Sequence, residues 1–211
     1  MGSGTSAPLV AAVAEAGGLG ILGLNSRKPE DFPALFADIR KRTSRPIGAN
    51  FLMFRMPEHC FAAALAERPA VLSFAWPRPG EDLRPCFDRA HRAGAKVMFM
   101  SGEVPQMKQA AAAGADIIVA QGSEGGGHVG WMGALPLVPM AVDAVSPIPV
   151  LAAGGIADGR GLAAALALGA QGVLLGTRFL ATDEAPLHEN FKRAIVASDG
   201  HDTIVSDIPD V

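Results

Sequence analysis

Short apolar runs alternate along the whole chain with longer stretches in which apolar positions recur every three to four residues. A short run that is apolar on both faces marks a strand of a parallel sheet, and the longer recurrence marks a helix covering it. The pattern predicts strands over 18–24, 46–53, 70–76, 95–101, 116–121, 149–155 and 172–178. It predicts helices over 6–16, 29–43, 57–67, 81–93, 103–113, 135–145, 160–168 and 185–198. One unit recurs in Ala16-Gly17-Gly18-Leu19, Ala93-Gly94-Ala95-Lys96, Ala113-Gly114-Ala115-Asp116 and Leu168-Gly169-Ala170-Gln171. Each ends a helix on a glycine suited to the left-handed C′ position and enters the next strand within a few residues.

Strands that alternate with helices and are buried on both faces define an α/β fold of the (β/α)₈ TIM-barrel type. Seven strands are found, and the chain opens on a helix capped by Thr5 or Ser6, with Pro8 in its first turn. The missing element is therefore the first strand, and the gap leaves two unpaired sheet edges. A second copy of the chain is one candidate to close them, as a homodimer. The tail 199–207 has the composition of one more short strand, and we read residues 1–211 as a single barrel domain, incomplete at its N-terminus and cut short at its C-terminus.

A net charge of −3 with no basic cluster argues against nucleic acid or an anionic membrane as partner. No apolar run reaches the length of a membrane span, and no leader pattern opens the chain. Cys60 and Cys86 lack metal-ligand spacing and read as small buried thiols of a reducing compartment, which suggests a cytoplasmic protein.

The candidate chemistry gathers at strand ends. Glu124-Gly125-Gly126-Gly127-His128-Val129-Gly130 follows the run Asp116–Gln121 at its carboxyl end, the end where α/β sheets bind ligands. Gly126 and Gly127 allow close backbone approach, and His128 adds a side chain that titrates near neutrality. His59, His91, His188 and His201 fall on polar helix faces or the tail and read as solvated. Gly154 and Gly155 follow the next strand, and Gly176 and Thr177 follow the last. Backbone amides at two adjacent barrel positions suit a phosphate. Asn50 and Gln121 end two strands with amides that both donate and accept, which suits the edge of a heterocycle, although either would also close a loop. Trp131 and Met132 are candidates to roof an apolar pocket, whereas Met98, Met100 and Met140 read as core filler. Gly18-Leu19-Gly20-Ile21-Leu22-Gly23 has dinucleotide-motif letters but lies inside a strand, and is rejected as such a site.

Gln121–Gly130, Ala152–Arg160, Leu175-Gly176-Thr177-Arg178-Phe179 and His188-Glu189-Asn190-Phe191 together resemble the nitronate monooxygenases, formerly 2-nitropropane dioxygenases, over essentially the whole chain. Flavin-dependent enoyl-acyl-carrier-protein reductases and NADH:quinone reductases look similar over the same stretches. The resemblance implies an FMN-dependent oxidoreductase acting on a nitronate or nitroalkane and oxygen. Asn50, Gln121, Gly126 and Gly127 would meet the flavin ring, and Gly154, Gly155, Gly176 and Thr177 would hold its phosphate. His128 would be the base that takes the α-proton of a nitroalkane. The family's first strand ends in Ala-Pro-Met-x-Gly, so Met1 and Gly2 would stand where that methionine and its neighbours abut the flavin. Where some relatives carry Lys or His near the flavin, this chain has Met100-Ser101. The alternatives are an NAD(P)H-dependent FMN reductase of enoyl-thioesters or quinones, and a non-catalytic barrel.

Overall fold

The computed structural model describes residues 4–206. Its helices α1 (Ala7–Glu15), α4 (Arg84–Arg92), α5 (Val104–Ala112) and α7 (Gly159–Ala167) end alike. Gly17, Gly94, Gly114 and Gly169 follow them with φ of 91°, 87°, 101° and 94°. Just beyond, the amides of Gly18, Ala95, Ala115 and Ala170 reach back to the carbonyls of Val13, Ala90, Ala110 and Ala165 at 2.9–3.1 Å. These bonds satisfy carbonyls that a helix end leaves orphaned and reverse the chain toward the sheet. Helix α3 (Glu58–Ala66) makes the same turn at Arg68, with φ 48° and no glycine.

The strands are β1 (Gly20–Gly23), β2 (Ile47–Leu52), β3 (Val71–Ala75), β4 (Lys96–Ser101), β5 (Ile117–Gln121), β6 (Val150–Ala153) and β7 (Gly172–Leu174). All pair in parallel, in chain order. Side chains alternate between two faces. The outer face packs on the helices, with Phe51, Phe61, Phe74, Phe87 and Phe99 in ring contact at 5.6–6.2 Å. The inner face gathers Val71, Met98, Val119 and Ala153 with Ile21, Met100, Leu151 and Leu174. This is a curled seven-stranded sheet, a barrel lacking one stave among the described residues. The remaining helices are α2 (Phe32–Arg42), α6 (Ala134–Val145), α8 (Thr177–Leu180) and α9 (Glu189–Ala197).

Among the described residues β1 pairs only with β2 and β7 only with β6. Residues of both edges, with Leu9, Val10 and Val13 of α1, line an apolar cavity of about 330 Å³. Ser6 is the helix cap, its Oγ accepting from Leu9 N at 3.1 Å. Thr5 serves the sheet instead: its Oγ1 accepts from Gly23 N at 2.9 Å, and Arg27 donates to the carbonyls of Gly23 and Thr5.

Several expectations are corrected. The run 172–178 is strand only to Leu174, because Gly176 breaks it and Thr177 starts a helical turn. Residues 199–206 form turns and irregular chain, with no strand; Asp207 lies outside the described residues, as do Met1 and Gly2. Met98 is core filler, but Met140 is 47% exposed on the outer side of α6. Both cysteines are free thiols, and burial pushes the Cys86 thiol up to about 12, which keeps it unreactive. No helix among the described residues is long and apolar enough to cross a membrane.

Candidate active site

Because every strand runs the same way, every carboxyl end opens on one side, and the loops leaving those ends converge there. The β5 loop is the longest reach. Its base is pinned twice: Ser123 N donates to Met132 O at 2.9 Å, and Ala134 N donates to both Glu124 carboxylate oxygens at 3.0 and 2.9 Å. The second contact satisfies a donor at the start of α6 and sets an anion against its positive end. Residues 125–131 are thereby displayed as an arch. The arch crosses the end of β4 at backbone contact: a Cβ on Gly102 would stand 3.0 Å from Gly130 Cα, and one on Gly130 3.2 Å from Gly102 Cα. Only a glycine pair lets the two backbones pass so closely.

The crossing carries His128 from β5 to the ends of β2 and β3. There the imidazole lies 5.6 Å from the Phe54 ring, edge-on at 70°, and 5.6 Å from the Trp76 ring, tilted at 50°. Phe54 N donates to Trp76 O at 3.1 Å, tying the two loops together.

Below the arch stand the amides. Gln121 is buried, and its Oε1 is the one buried side-chain polar atom without a hydrogen-bond partner among the described residues. Asn50 Nδ2 donates to the carbonyl and the hydroxyl of Ser73, both at 3.2 Å, and both residues line the upper wall of the cavity. Across the mouth, three loops meet. A Cβ on Gly126 would lie 3.1 Å from Thr177 Oγ1, and one on Gly154, at φ 96°, would lie 2.9 Å from Gly122 O and 3.0 Å from Gly125 N. The glycines of the β5 and β6 loops and the start of α8 thus share one surface, with Gly155 against Glu124 and Gly176 capping α8.

Asn50, Gln121, Gly126, Gly127, His128, Gly154, Gly155, Gly176 and Thr177 all fall at this end of the sheet. At the first turn of α7, Asp158 Oδ1 accepts from the amides of Arg160 and Gly161 at 2.9 and 3.3 Å. Arg160 beside it holds the Asp158 carboxyl below the usual range. Trp131 makes no roof; it is 86% exposed, turned outward where the Ser123–Met132 bond closes the loop. The aromatic wall is made by Phe54 and Trp76, which sequence reading missed. Their signal was position: an aromatic residue at or just beyond the end of an apolar run, Leu52-Met53-Phe54 and Ala75-Trp76-Pro77.

A curled parallel sheet with glycine loops and a histidine arch over its carboxyl ends defines an α/β-barrel type of site. The chain belongs to the nitronate monooxygenase family, whose family model matches residues 58–208. It is 40% identical over 94% of its length to a 5-hydroxy-7a-methyl-1-oxo-octahydro-1H-indene-4-carboxyl-CoA dehydrogenase of Rhodococcus jostii, covering 55% of that protein. It is 39% identical over 93% of its length to the nitronate monooxygenase npaC of Metarhizium robertsii, covering 61% of it. FabK from Thermotoga maritima superposes with a TM-score of 0.90 at 36% identity, over 98% of this chain and 65% of that one. The chain thus spans little more than half the length of these curated relatives.

Proposed function

We propose that the protein oxidises alkyl nitronates, and nitroalkanes after removing their α-proton, with FMN lying across the carboxyl ends of the strands. The observation that carries this reading is the orphaned Oε1 of Gln121, a buried acceptor beneath a cradle of glycines. A buried polar atom without a partner costs about 1–3 kcal/mol, and a flavin ring offers the N–H that would satisfy it. The cradle fits too, since side chains at Gly126 or Gly154 would fill the space beside Thr177 and the β5 loop. Asn50, Gln121, Gly126 and Gly127 would border the ring, and Gly154, Gly155, Gly176 and Thr177 would hold the phosphate. FMN, when bound, supplies the electron transfer from nitronate to oxygen.

The chain's own work is proton transfer. His128 accepts the α-proton on a ring nitrogen, and the electron pair of the broken C–H bond passes into the nitro group, giving the nitronate. Phe54 and Trp76 hold the imidazole in place during that transfer. The purified protein is expected to be yellow and to release nitrite from a nitroalkane. His128→Gln is expected to slow the reaction of the nitroalkane about 10²–10⁴-fold while leaving that of the preformed nitronate nearly unchanged. Equal loss with both substrates would remove the base assignment, and a colourless protein that takes up no FMN would remove the flavin. A second reading, favoured by the likeness to FabK, is reduction of an enoyl-thioester or quinone with NAD(P)H. Rapid anaerobic bleaching of the flavin by NADPH or NADH would select it.

A further inference from the structure

We infer that Phe54 and Trp76 form an apolar wall that grips the carbon chain of the substrate, so that the site selects nitro compounds with an extended apolar chain over short ones. The inference rests on His128 acting at the substrate's acidic carbon. Trp76 has φ of 56°, a left-handed conformation that is an outlier for so bulky a residue. Such strain costs on the order of 1–3 kcal/mol and persists where surrounding contacts impose it, most often at binding sites.

Here the contacts are identifiable. The Trp76 carbonyl accepts from Phe54 N, and the Phe54 carbonyl accepts from Arg78 Nη2 at 3.2 Å. The pairing of Leu52 with Ala75 brings both loops to one level. An extended backbone at Trp76 would continue β3 and point its side chain elsewhere; the reversal is what directs the indole toward His128. Phe54, Trp76 and His128 are each only half-buried, so part of each side chain stays accessible. The two rings that meet the imidazole at 5.6 Å, Phe54 and Trp76, are both aromatic, and the Arg55 guanidinium lies over the Phe54 ring at 5.4 Å. A substituent on the carbon that His128 deprotonates would meet these two aromatic side chains.

The test uses the composition of the chain. Trp76 and Trp131 are its two tryptophans and it has no tyrosine, so Trp131→Phe at the exposed position leaves Trp76 as sole reporter. Primary nitroalkanes from nitroethane to 1-nitrohexane are titrated into this variant while Trp76 emission is followed, with affinity also measured by calorimetry and turnover by nitrite release. The wall predicts saturable quenching and a Kd that falls about fourfold per added methylene. Trp76→Gly, which accepts the left-handed backbone without strain and so keeps the fold, flattens that dependence, whereas Trp76→Phe keeps most of it. Affinity rising with chain length without nitrite supports the wall and overturns the reaction. Nitrite release with no chain-length dependence, or an unaltered dependence in Trp76→Gly, overturns the wall and leaves the reaction standing.

Discussion

Gln121 bears on the proposed flavin at the scale of one side chain. Its Oε1 sits buried without a partner among the described residues, while neighbouring polar groups are paired. Gln121→Leu should raise the melting temperature of the FMN-free protein by about 2–4 °C, as expected for recovering about 1 kcal/mol at this chain size. The same change should weaken FMN binding about tenfold or more, one lost hydrogen bond in a dry site. Thermal melts with and without FMN check both signs, and a lower melting temperature without FMN would show that the amide supports the fold. The position of Gln121, like that of Asn50, was legible because strand ends can be counted from the sequence. Phe54 and Trp76 were not, because their meeting with His128 depends on an arch that crosses a neighbouring strand.

Among the elements, the two ends of the strands do different work. The amino end carries Asp116, which accepts from His91 Nε2, Lys96 Nζ and Val97 N, each at 2.8 Å, and so joins α4, β4 and the start of β5. Burial acts to raise this carboxyl, but the hydrogen bonds from Lys96, Val97 and His91 outweigh it and hold the group below its ordinary 3.8. A carboxyl depressed in the folded state contributes stability above its unfolded pKa and loses it as pH falls through the folded one. Asp116→Asn should therefore lower the melting temperature at neutral pH, and the difference from the parent should close as the pH drops below about 3.8. A difference that is constant down to pH 2 would show that charge is not what this junction uses. The carboxyl end, by contrast, spends its contacts on loop geometry: Glu124 fixes the arch to α6, and Gly102 and Gly130 let it cross. Helix endings and strand starts were legible from their glycines. The helical turn at Thr177 was not, since Gly176-Thr177-Arg178-Phe179 continues an apolar run that local pattern extends as strand.

On the scale of the whole molecule, the loops of β5, β6 and α8 act together only if one ligand spans them. FMN at a hundred times its Kd should stabilise the folded protein by about 2.7 kcal/mol, a rise of about 5–10 °C in melting temperature. An unchanged melting curve would deny the cradle its ligand. The alternation of strand and helix, the count of seven strands and the histidine–glycine motif were determined by the sequence alone, because periodicity and C′ glycines are local and each residue expresses them wherever it folds. What the tertiary structure decided was which loops touch. The outward turn of Trp131, the aromatic contacts of His128 and the unpaired oxygen of Gln121 follow from backbones that approach across many residues of chain. Their energies depend on burial and mutual distance, which no local pattern encodes.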